Sequence, residues 1–96
     1  MNSQDVVLKL RELKPTITAR YQVREISLFG SFVRGEQKEN SDIDLLAEFD
    51  ENADLFDLIG LELYLEDTFK RTVDIVPKQA LRAELRETVL QQVVAI

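Results

Sequence analysis

Apolar residues recur along this chain at two spacings, and the switches between them mark out the elements. Val6, Val7, Leu10 and Leu13 fall at three- and four-residue intervals, which predicts a helix over 3–13 with Ser3 as its N-cap. Pro15 disfavours helix at Lys14 but suits the first turn of a new or kinked helix, so 15–21 is expected to continue helically with Ile17 and Tyr21 inward. From Arg24 the interval drops to two. Ile26 and Leu28 share one face while Ser27 and Phe29 share the other, predicting a strand over 24–29. A short helical turn over 31–34 and a polar run over 35–41 without periodicity follow, the latter a surface loop.

Alternation returns over 42–49, where Asp42, Asp44, Leu46 and Glu48 occupy one face and Ile43, Leu45, Ala47 and Phe49 the other. The second set reads as a core face and the first as an open, acidic one. Asp54 is placed to cap a helix running to about Phe69, in which Leu58, Leu61 and Leu65 form a stripe that Leu55, Ile59 and Leu63 widen. Much of this helix is therefore expected to be buried against the sheet or a partner. Gly60 in its interior costs up to about 1 kcal/mol relative to alanine, which close helix packing would offset. Residues 72–76 read as a third strand with Asp74 opposite Val73 and Ile75. From Pro77 the chain turns helical again, with Leu81, Leu85, Val89 and Val93 on one stripe, Arg82 and Arg86 beside it, and 93–96 either closing the core or reaching a partner. The expected architecture is a single α+β domain over 1–96, a short mixed β-sheet backed by helices.

Composition narrows the function more than the fold. Ninety-six residues with 45% hydrophobic content support one modest core. The absence of cysteine removes disulfides and thiolate metal sites and fits a reducing cytoplasm. No apolar run approaches the roughly 20 residues that span a bilayer, and no secretory pattern opens the chain, so a soluble cytoplasmic protein is expected without a membrane role. A net charge of −6 argues against stable DNA or RNA binding, which depends on clustered lysine and arginine. A small nucleotide held through a metal remains compatible with it.

The chemistry concentrates in 30–49, GSFVRGEQKENSDIDLLAEF. Asp42 and Asp44 project from one face of an extended strand about 7 Å apart along the backbone. Paired carboxylates repel unless a cation lies between them, and hard oxygen ligands favour magnesium, which takes one or two protein carboxylates and fills its remaining positions with water and substrate phosphates. The pair therefore points to a nucleoside triphosphate as well as a metal. Gly30 lets the backbone pass close to a phosphate, and Ser31 can cap the following turn, donate its hydroxyl to a phosphate, or do both. Arg34 has two readings, a phosphate contact or an ion pair with an acidic neighbour such as Glu36. Asp74 would join Asp42 and Asp44 if the strands lie side by side with their apolar sets in register.

The pattern Gly30-Ser31-x-x-Arg34-Gly35, then Ser41-Asp42-Ile43-Asp44-Leu45, then Val73-Asp74-Ile75-Val76-Pro77 resembles the nucleotidyltransferase superfamily that includes DNA polymerase beta. More closely it resembles the minimal nucleotidyltransferases, small domains often encoded beside a HEPN-domain toxin. The resemblance implies transfer of AMP from ATP to a tyrosine hydroxyl of the paired HEPN ribonuclease toxin, which silences it, and hence a hetero-oligomer with that toxin. It further implies two Mg2+ ions held by Asp42, Asp44 and Asp74, and a triphosphate on the Gly30-Ser31 turn with Arg34 beside it. Two alternatives compete: an antitoxin that inhibits by contact without catalysis, and an adenylyltransferase acting on a small hydroxylated molecule.

Overall fold

A reciprocal capping box starts the first helix. In the computed structural model, which describes all 96 residues, the Asp5 N–H donates to Asn2 Oδ1 at 2.9 Å and the Asn2 N–H donates to Asp5 Oδ2 at 3.2 Å. Asn2 is thus the N-cap in place of Ser3, which becomes the first residue of α1 (Ser3–Tyr21). The helix runs through Pro15 without a break. Pro15 faces solvent, while Val6 and Leu10 before it and Ile17 and Tyr21 after it are all buried, so packing along one stripe outweighs the backbone hydrogen bond that proline removes.

Four strands form one mixed sheet in the order β3-β2-β1-β4, comprising β1 (Val23–Phe29), β2 (Ile43–Phe49), β3 (Val73–Pro77) and β4 (Val94–Ala95). β1 pairs antiparallel with β2 and with β4, whereas β2 and β3 run parallel. A parallel pair needs a crossover, and α3 (Leu55–Phe69) supplies it. Asp54 caps α3 as expected, in a second reciprocal box with Asp57. The strand β4 departs from the sequence reading. The last residues close the core as an edge strand, with Val94 and Ile96 packed against the buried cluster, the Ile96 N–H donating to Ile26 O at 2.9 Å and Arg11 donating to Ala95 O at 3.3 Å.

Behind the sheet, α1 and α3 close a cluster of sixteen buried residues in which Leu10, Ile17, Leu28, Leu45, Leu61 and Leu65 have no exposed surface. Full burial of each such side chain contributes about 1.5–3 kcal/mol. Gly60 lies where α3 crosses α1, and a Cβ built there would meet Tyr21 Cε1 at 3.0 Å. The rest of α3 corrects the broad buried stripe expected from the pattern: Leu55, Phe56, Ile59 and Leu63 are exposed, Phe56 by 82%, because one helix packed on one sheet covers only the side that carries Leu61, Leu65 and Phe69.

The front of the sheet is covered differently. After a 3₁₀ turn at Lys78–Ala80, α4 (Ala83–Leu90) crosses the open face without burying any of its residues. No helix in the structure is long and apolar enough to cross a membrane.

Candidate active site

The end of β1 and the start of β2 lie next to each other, with Phe29 paired to Asp44. The chain leaves β1 through Gly30 at φ 78° and ψ −149°, a conformation that residues with a Cβ rarely adopt. A Cβ at Gly30 would overlap Asp44 Oδ2 and stand 3.0 Å from Asp44 Cγ. Glycine therefore lets the turn backbone rest directly against the carboxylate. The single-turn helix α2 (Ser31–Arg34) follows, its Val33 and Arg34 N–H groups both donating to Gly30 O at 3.1 and 3.2 Å. Ser31 lies inside this turn instead of capping it, so the capping reading of its hydroxyl does not apply.

Parallel pairing of β2 with β3 sets Asp44 directly beside Asp74, because Ile43 pairs with Val73 and Leu45 with Ile75 on the buried side. Val73 and Ile75 are 2% and 4% exposed, and Asp74 between them faces outward, as their alternation predicts. Asp42 stands one residue before β2 and is exposed. Burial raises the Asp44 pKa above its ordinary value of 3.8, the carboxylates of Asp74 and Asp42 raise it further, and the Arg34 guanidinium opposes them. All four side chains thus share one electrostatic neighbourhood. The three aspartates do not close into a finished cage, since no group of three such side chains is gathered tightly enough to hold an ion unaided.

Arg34 makes the ion pair of its second reading and stands at the candidate site as well. Its Nε donates to Glu36 Oε2 at 3.1 Å, and it also lines the cleft in front of the aspartates. That cleft has a volume of about 430 Å3, within the range of small-molecule sites. Phe29, Gly30, Asp44, Asp74 and Val76 form its sheet side, and Leu81, Leu85, Thr88, Val89 and Gln92 its opposite wall. The apolar stripe of α4 is therefore a cleft wall, left half open, and this explains why it buries nothing. Arg82 and Arg86 do not line this cleft. A larger hollow of about 550 Å3 lies at the far end of β2 around Glu48, Asp50, Glu51 and Leu55, but it lacks a lysine or arginine side chain. The smaller cleft holds the convergent chemistry.

Several cleft residues escaped the sequence reading. Thr88 and Gln92 carry no motif and become neighbours of the site only because α4 crosses the sheet. Glu62 of α3, which does not line the cleft, also escaped it: burial, then the charges of Asp74 and Glu66, raise its pKa, which places a further carboxylate near β3.

Residues 10–96 match the nucleotidyltransferase domain family. The chain belongs to that family. The protein adenylyltransferase MntA of Thermococcus cleftensis is 43% identical over 97 residues, covering 94% of this chain and 98% of the relative. A solved structure described as a minimal nucleotidyltransferase superposes over 100% of this chain and 97% of its own length, with a TM-score of 0.85 and 36% identity. A toxin-antitoxin structure with AMP-PNP covers 99% of this chain and 72% of the neighbour, with a TM-score of 0.69 and 26% identity. The expected α+β fold and the resemblance to minimal nucleotidyltransferases both hold. This nucleotidyltransferase is accordingly a transferase, with Gly30, Arg34, Asp44 and Asp74 of its motif lining one cleft and Ser31 and Asp42 adjoining them in the chain.

Proposed function

We propose that this nucleotidyltransferase is a Mg2+-dependent antitoxin that transfers AMP from ATP to a tyrosine hydroxyl of a HEPN-domain toxin and thereby neutralises it. The observation that carries the reading is Asp44, registered beside Asp74 and lying against the Gly30 turn, with all three lining one cleft. A relative called a protein adenylyltransferase and a neighbouring toxin-antitoxin structure with AMP-PNP support the choice of nucleotide and of a protein acceptor.

The residues fit magnesium. Burial and then two like charges raise the Asp44 pKa, an arrangement a cation relieves, and the open cluster leaves positions for the phosphates and water that Mg2+ prefers. Asp42, Asp44 and Asp74 would hold it, three carboxylates being enough for two ions to share. When bound, the metal neutralises phosphate charge and favours the ionised acceptor oxygen. Gly30 and Ser31 seat the triphosphate, with the Ser31 hydroxyl donating to it. Arg34 supplies positive charge at the rim, and Leu85 and Val89 offer the adenine an apolar surface. Asp74, the more exposed of the registered pair, takes the proton as the tyrosine oxygen bonds to the α-phosphorus and pyrophosphate leaves with the broken P–O bond pair.

Incubation with Mg2+, α-labelled ATP and a HEPN partner, followed by intact-mass analysis, tests this. The expected result is added AMP on the partner, absent for Asp44→Asn. A stable complex that never gains mass would show inhibition by contact, and label appearing on a small hydroxylated molecule instead of the partner would show the other transferase class.

A further inference from the structure

The motif comes from three separate stretches of the chain, and one side chain just before the third touches the other two. Arg71 lies in the turn between α3 and β3, three residues before Asp74. Its guanidinium carbon sits 5.4 Å from the centroid of the Phe32 ring. Its Nη1 donates to Ser41 O at 3.0 Å. Phe32 is buried to 1% and directly follows Ser31, while Ser41 directly precedes Asp42. A planar guanidinium is suited to this double task, since it can lie over a ring while its edge donates in a fixed direction.

The surrounding contacts tighten the same junction. The Ser41 hydroxyl accepts from the Lys38 N–H at 2.6 Å and the Ser41 N–H donates to Lys38 O at 3.1 Å, closing the end of the loop. One residue further on, the Ile43 N–H donates to Thr72 O at 2.9 Å and begins the pairing that registers Asp44 with Asp74. Arg71 takes part in none of the chain's four ion pairs, so it is not spent on a neighbouring carboxylate. The cation that acts on Asp44 is Arg34. Arg71 works through geometry.

We infer that Arg71 is a positioning residue for the transfer reaction, which sets the Ser31 turn and the Asp42 strand entrance relative to Asp74 by stacking on Phe32 and holding the Ser41 carbonyl. This rests on the metal-dependent reading above. A side chain that orients ligands without touching the metal is commonly worth ten- to a hundredfold in metal affinity or activity.

The test titrates Mn2+ into the full chain with AMP-PNP, following the free-ion EPR signal, and measures kcat, KM and thermal unfolding on the same preparations. Arg71→Met should weaken Mn2+ binding about tenfold and lower kcat by about 10- to 100-fold, while KM for the protein acceptor stays near the parent value. Arg71→Lys keeps a donor for Ser41 O but cannot also lie flat over Phe32, so it should fall between the two and stay at least about threefold weaker for Mn2+ than the parent. Parent-like Mn2+ affinity and kcat in Arg71→Met, with only a lower melting temperature, would reduce Arg71 to a structural staple. Should Arg71→Met not fold, parent-like values in Arg71→Lys overturn the inference equally. Asp44→Asn separates the two levels: if it loses Mn2+ while Arg71→Met retains it, only the positioning role fails. If Asp44→Asn itself binds Mn2+ like the parent, the metal reading fails and the inference falls with it.

Discussion

The two faces of this sheet are built for different work. Behind it, Val6, Leu10 and Ile17 of α1 and Leu61 and Leu65 of α3 have no exposed surface, and the strands send Leu28, Ile43 and Leu45 into the same cluster. In front, α4 buries no residue, Leu85 is 49% exposed, and a cleft separates the helix from the strands. The difference teaches where the free energy resides. Apolar contact holds the fold together from the back, which leaves the front able to carry carboxylates that repel one another and a helix that stands off the sheet. Substitutions on the two faces should therefore separate into losses of activity and losses of stability.

The sharpest break of that separation is Asp44→Asn. Transfer should fall by roughly a thousandfold or more, several kcal/mol of barrier, because the proposed metal site loses a charged ligand. The metal-free melting temperature should rise, since like-charge crowding is relieved. Rate measurement beside calorimetry checks both, and a lower melting temperature would mean the front carboxylates help hold the fold. On the other side of the comparison, Leu45→Ala should cost about 2–5 kcal/mol in urea unfolding, from lost burial plus the cavity left behind. Leu85→Ser on α4 should change stability by no more than about 0.5 kcal/mol, as surface substitutions do, while raising KM for the proposed ATP substrate severalfold by making the cleft wall less apolar.

The smallest effect is in the pH dependence. Asp44 has a native pKa above the unfolded value of 3.8, so between those two values the native state binds more protons than the unfolded one. Stability of the metal-free protein should therefore fall as pH rises through that window, and Glu62 contributes with the same sign. Melting temperatures measured across the window should decline more in the parent than in Asp44→Asn. Equal slopes would show that Asp44 is not titrating in a crowded site.

Much of this was legible because it is local. The strands over 24–29, 42–49 and 72–76 announced themselves by alternation, and Asp54 by its place before an apolar run, since capping depends on a few neighbouring residues. The first cap was misplaced by one residue because Asn2 and Ser3 both have capping chemistry, and only the reciprocal bond from Asp5 decides between them. Strand β4 left no periodicity to read, being two residues long. The outer side of α3 was expected to be covered because an apolar composition does not say how many neighbours a helix has.

By itself the sequence determined which chemical groups are present and which face of its own strand each one takes, because side-chain alternation is a property of a single extended chain. Asp42, Asp44 and Asp74 were readable on that basis, and Gly30 from the backbone freedom that a residue without a Cβ has. What only the tertiary structure decided is which strands are neighbours and in what register, because pairing is settled by contacts between segments distant in sequence and by the burial each arrangement achieves. The parallel seating of β3 on β2 sets Asp74 beside Asp44, and the crossing of α4 turns Leu81, Leu85 and Val89 from an apparent core stripe into the wall of a cleft.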